Sequence, residues 1–146
     1  MPSGGTNAGA RSARPRDTAL VVFDSWALLA YLGDERSAGR IESAWIDEGA
    51  AISSINLGEV LYIRIRSHGE ESASVDIARV RQLLEVIDPD PPLVSAAAAI
   101  KARGGLSYAD AFCIATALRA GMPLWTGDPE IVDRAAHLSC EVVDLR

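Results

Sequence analysis

The sequence predicts an α/β fold, a three-layer α/β/α sandwich with a central parallel sheet of about five strands. Short apolar runs alternate along the chain with longer segments of helical periodicity, as expected when helices cover both faces of a parallel sheet. The apolar runs are continuous rather than alternating, which is typical of strands buried on both sides. In such folds the ligand crevice lies at the carboxyl ends of the strands. Residues that directly follow a strand are therefore the first candidates for a functional site.

The elements are predicted in order from the same pattern. We expect residues 18–146 to form the sandwich domain and residues 1–17, which have no apolar periodicity, to be a flexible tail. Strands are predicted at 19–23, 50–54, 85–88, 123–126 and 140–144. Helices are predicted at 25–32, 37–48, 56–67, 71–84, 92–103, 107–120 and 129–136. Five of these helices are followed by a glycine, which ends a helix by adopting a positive φ, at Gly33, Gly49, Gly69, Gly104 and Gly121.

The composition favours one soluble domain with an acidic surface. The chain has 146 residues, 49% of them hydrophobic, and a formal net charge of -6. Residues 1–17 hold three arginines and one acid, which leaves 11 basic and 19 acidic residues, a net charge of -8, in the remainder. Such a body is poorly suited to general binding of nucleic acid or anionic membranes.

The cysteines and the apolar runs bear on the cellular compartment. Cys113 and Cys140 stand far apart without a CxxC motif, which argues against a zinc site or a disulfide framework and is typical of small buried side chains in a reducing cytosol. No apolar run approaches the roughly 18 residues of a membrane span. We therefore expect a cytoplasmic protein without a membrane segment.

Two aspartates stand just after predicted strands. Asp24 stands after the first strand, and Asp128 stands after the fourth and before Pro129. Each has an ordinary explanation as the N-cap of the next helix, a position that Asp favours and that Pro often follows. Capping is the simpler interpretation of either aspartate taken alone.

Two further acids have the spacing of a capping box. Asn56 and Glu59 follow the second strand, and Ser107 and Asp110 begin a later helix. Asp110, however, is flanked by alanines and lies on or beside the apolar stripe that faces the sheet. A carboxylate at such a position needs a polar partner or a metal ion.

The four acids share a location in the predicted fold. Three of them follow the carboxyl end of a strand and the fourth opens a buried helix, so the fold can gather them in one crevice. Four carboxylates in close approach repel one another unless they are protonated or neutralised. Mg²⁺ and Mn²⁺ prefer such oxygen ligands, and they activate water in metal-dependent nucleases and some phosphatases. The pattern therefore predicts a site for one of these ions.

Four segments that contain these acids resemble a known family. They read VVFDSWALLAYL, INLGEVLY, LSYADAFCIATAL and LWTGDPE. In this order and spacing they resemble the PIN-domain ribonucleases, most closely the VapC-type toxins of bacterial toxin–antitoxin pairs, over roughly residues 19–145. The resemblance implies an acidic metal-binding pocket with catalytic function, formed by Asp24, Glu59, Asp110 and Asp128. It also implies that Ser25 and Thr126 are supporting groups.

The family resemblance further implies an activity and partners. It implies a Mg²⁺- or Mn²⁺-dependent endoribonuclease that cleaves cellular RNA and inhibits translation. It also implies a VapB-like antitoxin that covers the acidic pocket, and a homodimer. Four basic residues on nearby segments are candidates for contacts with RNA phosphates, although each also has an ordinary interpretation as a solvated helix charge: Arg64, Arg66, Lys101 and Arg103.

Two other functions stay open from the residues alone. One is an aspartate-based phosphatase or phosphotransferase with Asp24 as the nucleophile, although Trp26 stands where such enzymes carry a second aspartate. The other is a non-catalytic interaction domain of PIN-like fold. A nucleotide-binding site is disfavoured, because no G-x-G-x-x-G motif follows the first strand and no P-loop lysine motif is present.

Overall fold

The central sheet has five parallel strands, which confirms the predicted α/β/α sandwich. The computed structural model describes residues 20–146, so the tail predicted at residues 1–17 lies outside the described residues. The strands lie in the order β3-β2-β1-β4-β5, and all four pairings are parallel. Their bounds are β1 Val21–Phe23, β2 Ala50–Ser53, β3 Glu85–Ile87, β4 Leu124–Thr126 and β5 Val142–Asp144.

Helices connect the strands and cover both faces of the sheet. Within residues 20–146 the α-helices are α1 Ser25–Leu32, α2 Ala38–Glu48, α3 Ser54–His68, α4 Glu70–Arg81, α5 Pro91–Ala102, α6 Tyr108–Ala120 and α7 Pro129–Val132. A short 3₁₀ helix, Ala135–His137, follows α7. None of the helices in this part of the chain has the length and apolar character needed to span a lipid bilayer.

The core consists of two apolar clusters, one on each side of the sheet. Successive residues of β1 contribute to opposite clusters, because side chains alternate across a strand. Val21 and Phe23 pack with residues of α1 to α4, whereas Val22 packs with residues of α5, α6 and α7. The three residues of β1 are all about fully buried. The central strand is therefore covered on both sides, as its continuous apolar sequence predicts.

Several element ends differ from the predictions. α3 begins at Ser54 and not at Asn56, because the Ser53 side chain accepts a hydrogen bond from the Ile55 backbone N–H and so caps the helix two residues earlier. α4 ends at Arg81, and α7 ends at Val132. Gly33 has a φ of -85° and not a positive value. α1 thus ends at Gly33 as predicted but without a positive φ, and the predicted N-cap at Asn56 was wrong.

The register of the central strands brings their carboxyl ends to one edge of the sheet. Phe23 at the end of β1 pairs with Ile52 of β2 on one side and with Trp125 of β4 on the other. The residues that follow these three strands consequently lie side by side. α6 packs against β1, β2 and β4 from the face that contains Val22. Its N-terminus lies at the same edge as Asp24, as the contacts below show.

Candidate metal centre

Three of the four predicted acids meet at this edge of the sheet. Asp24, Asp110 and Asp128 each offer a carboxylate oxygen, and these oxygens lie within 4.8 Å of one another. We call these residues the aspartate trio. Asp24 and Asp110 are buried, with 2% and 4% of their surface exposed, and Asp128 is half-buried. The trio is thus a compact group of carboxylates at the carboxyl ends of the central strands.

Asp24 is held by two hydrogen bonds, one to each carboxylate oxygen. Its Oδ1 accepts from the Ser25 backbone N–H at 2.6 Å, so Asp24 is the N-cap of α1, as the capping interpretation predicted. Its Oδ2 accepts from the Thr126 hydroxyl at 2.7 Å. Because each carboxylate oxygen has a further lone pair, capping leaves this group able to bind a cation.

Asp110 caps its helix and faces the trio at the same time. The predicted capping box is confirmed: the Ser107 Oγ accepts from the Asp110 N–H at 3.0 Å, and the Asp110 Oδ2 accepts from the Ser107 N–H at 3.1 Å. Within the described chain, Asp110 Oδ1 accepts no hydrogen bond. The structural and the functional interpretations of this residue are therefore compatible.

Thr126 joins the first and the third members of the trio. Its hydroxyl donates to Asp24 and accepts a hydrogen bond from the Asp128 backbone N–H at 3.0 Å. Asp128 in turn accepts from the Glu130 N–H at 2.9 Å and caps α7. Thr126 is fully buried. It therefore lies between Asp24 and Asp128, and its supporting role stays a prediction.

In the part of the chain that the structure describes, basic side chains do not balance the negative charges of the trio. Among residues 20–146, no Lys, Arg or His forms an ion pair with any of the three aspartates. Burial raises the pKa of Asp24 to about 7; the Thr126 hydrogen bond opposes this rise, and the charges of Asp110 and Asp128 add to it. Burial also raises the pKa of Asp110, as do the charges of Asp128 and Glu59. Burial therefore makes the Asp24 and Asp110 carboxyl groups easier to protonate than exposed aspartates.

Glu59 stands apart from the trio. It lies on α3, is half-buried, and does not share the common 4.8 Å group. Its charge nevertheless contributes to the raised pKa of Asp110. The structure thus brings together three of the four predicted acids and places the fourth at the periphery of the group.

The donor set fits a hard divalent cation. Carboxylate oxygens without basic partners are the ligands that Mg²⁺ and Mn²⁺ prefer, and a bound cation would offset the cost of burying two of the three charges. Cys113 is not expected to bind the cation, because a metal-binding cysteine must lose its proton. Burial, followed by the charges of Asp24 and Asp110, raises the pKa of its thiol well above its usual range. Its Sγ donates a hydrogen bond to the Asp110 backbone carbonyl at 3.1 Å. Cys113 is therefore a protonated core residue.

Two polar residues beside the trio form a buried contact. Ser25 directly follows Asp24, and its hydroxyl donates to the Asn56 backbone carbonyl at 3.2 Å. Asn56 is fully buried and lies in the first turn of α3. The spacing of Asn56 from Glu59 predicts only a capping role, so this buried position was not predicted. The signal was an amide side chain directly after a buried strand, which the N-cap preference of Asn obscured.

The four basic candidates differ in their surroundings. Arg66 and Arg103 are exposed. The Lys101 ammonium donates to the Leu106 backbone carbonyl at 2.8 Å, in the loop that precedes α6. Arg64 has a different partner: its side chain is only 12% exposed, and its Nη2 lies 2.8 Å from the Asp76 carboxylate of α4.

Comparisons with known proteins agree with this fold. The PIN domain family matches residues 21–138 of the chain. No curated protein matches the sequence. The solved structures that resemble the chain include a toxin–antitoxin complex from Klebsiella pneumoniae (TM-score 0.67, 23% identity, covering 86% of this chain and 98% of that chain). They also include the DNA-bound VapBC complex from Salmonella typhimurium (TM-score 0.70, 18% identity, 88% and 99%) and the sarcin–ricin-loop-cleaving VapC toxin from Mycobacterium tuberculosis (TM-score 0.63, 18% identity, 77% and 93%).

Proposed function

The chain belongs to the PIN domain family, and from this premise we propose that it is a Mg²⁺- or Mn²⁺-dependent endoribonuclease, the toxin of a toxin–antitoxin pair. The observation that carries the proposal is the aspartate trio, whose oxygens lie within 4.8 Å of one another without a basic partner in residues 20–146. A buried group of this kind costs free energy unless it binds a cation or takes up protons. The similar folds of VapC toxins support the same function.

Each site residue has a defined part in the proposed reaction. Asp24, Asp110 and Asp128 hold the cation, and Glu59, at the periphery, completes the acidic pocket. When bound, a divalent cation activates a water molecule and stabilises the leaving oxygen of a phosphodiester. Thr126 fixes the orientation of the Asp24 carboxylate by donating to its Oδ2. Ser25 ties the start of α1 to α3 through the Asn56 carbonyl.

RNA contacts are proposed at basic residues beside the site. Lys101 and Arg103 end α5 and precede the loop to α6, whose first turn contains Asp110. Arg66 lies in the last turn of α3, the helix that contains Glu59. These side chains would contact phosphates without reading the base sequence. Because Arg64 is held by Asp76, we assign it to the packing of α3 on α4 and not to RNA.

Two protein partners belong to the proposal. The first is a VapB-like antitoxin that covers the acidic pocket and presents at least one Arg or Lys to the trio, since a cation is the complement of an uncompensated acidic group. The neighbours from Klebsiella pneumoniae and Salmonella typhimurium are themselves complexes, which supports such a partner. The second is another copy of the chain, in a homodimer. A toxin of this kind acts in the cytoplasm, where translated RNA is found.

The nuclease proposal is tested by RNA cleavage with and without metal. Purified protein is incubated with folded RNAs in Mg²⁺ or Mn²⁺, and EDTA is added to a parallel sample. We expect cutting that EDTA abolishes. Asp24→Asn and Asp110→Asn should each lower the rate by roughly 100-fold or more, since even changes outside the ligand shell cost about 10- to 100-fold.

A matched control distinguishes loss of a carboxylate in the trio from loss of a carboxylate elsewhere on the protein. Asp88 also follows a strand at the same edge of the sheet but is exposed and lies outside the trio. Asp88→Asn should cut RNA at the wild-type rate. Cutting that resists EDTA, or equal rates for Asp110→Asn and Asp88→Asn, would contradict the proposal. Release of phosphate from a simple phosphomonoester that depends on Asp24 alone would favour a phosphatase instead.

A further inference from the structure

Asn56 connects three helices at the edge of the sheet that contains the aspartate trio. It lies in the first turn of α3 and is 0% exposed. Its side-chain Nδ2 donates to the Ala109 backbone carbonyl at 3.0 Å and to the Ser25 hydroxyl at 3.3 Å. The Ser25 hydroxyl donates in return to the Asn56 backbone carbonyl at 3.2 Å. One residue of α3 is thus bound to the first turns of both α1 and α6.

The two helix starts that Asn56 connects are the ones that contain buried aspartates. Asp24 directly precedes Ser25, and Asp110 directly follows Ala109. We propose that Asn56 is a positioning residue, which fixes the Asp24 and Asp110 carboxylates relative to each other by clamping the starts of α1 and α6 to α3. The clamp consists of hydrogen bonds that the structure contains. Its consequence for metal binding rests on the proposed function.

The Asn56 side chain has one buried polar atom without a partner, which selection for stability alone would not favour. Its Oδ1 is buried and has no hydrogen-bond partner among residues 20–146. A buried acceptor without a partner is destabilising, and an apolar side chain of similar volume can replace such a group at little cost. Both donor hydrogens of the amide, by contrast, are used to join separate helices. The side chain therefore serves the placement of α1 and α6 more than the stability of α3.

The clamp matters because the affinity for a cation is sensitive to small changes in the distances between its ligand oxygens. Mg²⁺ and Mn²⁺ sites need their oxygen ligands close to an ideal geometry, so a shift of one helix start changes affinity. Groups that orient metal ligands without touching the metal typically contribute about 10- to 100-fold to metal affinity. The same range is expected for Asn56, which acts on two ligands at once.

The clamp is tested with two variants that release different helices. Asn56→Leu removes both amide donors but keeps the backbone carbonyl that Ser25 binds, so it releases α6. Ser25→Ala removes the hydroxyl and releases α1 while keeping the contact between Asn56 and Ala109. Amide hydrogen exchange, measured by NMR in EDTA, should rise about tenfold at Asp110 and Ala111 in Asn56→Leu. In Ser25→Ala the rise should be at Ala27 and Leu28.

A second measurement distinguishes positioning from ordinary packing. Mn²⁺ binding is measured by titration calorimetry for the wild type, for Asn56→Leu and for Val60→Ala, which truncates a fully buried residue one turn further along α3. We expect a dissociation constant about tenfold higher in Asn56→Leu and unchanged in Val60→Ala. Urea unfolding should show the opposite order, with Val60→Ala the less stable variant.

The outcomes separate this inference from the proposed function. Exchange at Asp110 that stays at the wild-type rate in Asn56→Leu, or a wild-type Mn²⁺ affinity in that variant, would overturn the clamp. If the wild type itself binds no Mn²⁺, the metal-dependent function fails. The exchange data then still decide whether Asn56 holds the two helix starts together.

Discussion

Asp24 shows how one residue serves both the fold and the site. It caps α1 through one oxygen and accepts from Thr126 through the other, and it is 2% exposed. An exposed capping aspartate would gain from its charge, because the helix N-terminus is positive. Here burial dominates and raises the pKa of Asp24 to about 7. The metal-free protein should therefore be most stable where this carboxyl is protonated.

The first prediction is a pH dependence of stability that metal removes. Because the folded pKa of Asp24 is about 7 and its ordinary value is 3.8, stability in EDTA falls as pH rises from about 4 to about 7 and levels off above. The full loss is of the order of 4 kcal/mol at roughly 1.4 kcal/mol per pKa unit. Urea unfolding across this range measures it, and added Mn²⁺ should restore stability at pH 7.

Two variants test whether Asp24 causes this pH dependence of stability. Asn is also a good N-cap, so Asp24→Asn keeps the helix start and should flatten the pH profile. Asp88→Asn, which changes an exposed acid, should leave the profile unchanged. A wild-type slope that persists in Asp24→Asn would mean that another group causes it.

The second prediction concerns the Thr126 hydroxyl. Its hydrogen bond lowers the pKa of Asp24, and it also accepts from the Asp128 N–H. Thr126→Val keeps the shape but removes both bonds, so the pKa of Asp24 should rise further and the Mn²⁺ dissociation constant should increase about tenfold. Calorimetric titration measures the affinity. Thr116→Val is the control, since the Thr116 hydroxyl is equally buried but bonds only to its own helix at Phe112. Equal affinities in the two variants would refute the assignment.

At the scale of elements, the ordered alternation of strands and helices was sufficient to predict the sandwich. The five predicted strands correspond to β1 to β5. The three central strands, β2, β1 and β4, are mostly buried, whereas the edge strands β3 and β5 are largely half-buried and each contains an acid. The start of α3 was not predictable in the same way. Ser53, Ser54 and Asn56 are all good N-cap residues, so local preference could not decide between them. Tertiary contacts of Asn56 decided the matter by drawing its amide into the interior.

The candidate site, like the fold, was predictable in part. The acids that follow β1 and β4 and that open α6 meet because parallel strands end at one edge of a sheet. The position of Glu59 was not predictable in this way, because its spacing from Asn56 predicted the first turn of α3, whereas the start at Ser54 puts it in the second turn. The contacts of α3 with its neighbouring helices, which local sequence does not specify, decide where its side chains lie. The placement of Arg64 against α4 escaped prediction for the same reason.

The third prediction tests the ion pair that joins α3 and α4. Arg64 and Asp76 have side chains only 12% and 18% exposed, and the Arg64 Nε has no hydrogen-bond partner among residues 20–146. Removing the carboxylate in Asp76→Ala leaves a largely buried cation and should cost about 3 kcal/mol in urea unfolding. Combining it with Arg64→Met should recover most of this loss. Asp133→Ala, which breaks the exposed pair with Arg146, should cost well under 1 kcal/mol. A stable Asp76→Ala protein would show that the pair does not hold the two helices.

At the scale of the whole molecule, charge limits how the protein can bind RNA. The net charge of -6 opposes a general attraction to polyanions. It includes the aspartate trio, which has no basic partner in the described chain. A bound divalent cation reverses the field locally, so a phosphate can approach the site although the body repels it. RNA binding in the proposed function should therefore depend on metal and on a few basic side chains, of which Arg103 is exposed and precedes α6.

The fourth prediction follows from counting these contacts. Each phosphate contact to single-stranded RNA contributes about 0.7 to the slope of log affinity against log salt, so a few contacts give a slope near -2. With a single-stranded RNA and Mg²⁺, fluorescence anisotropy recorded before appreciable cleavage should show such a shallow slope, and EDTA should abolish binding. Arg103→Ala should reduce the slope by about 0.7. Arg119→Ala should not, because Arg119 lies in the last turn of α6 and is paired with Asp90. A slope as steep as that of a basic nucleic-acid-binding protein, or binding that survives EDTA, would show that the acidic body binds RNA through a surface other than this site.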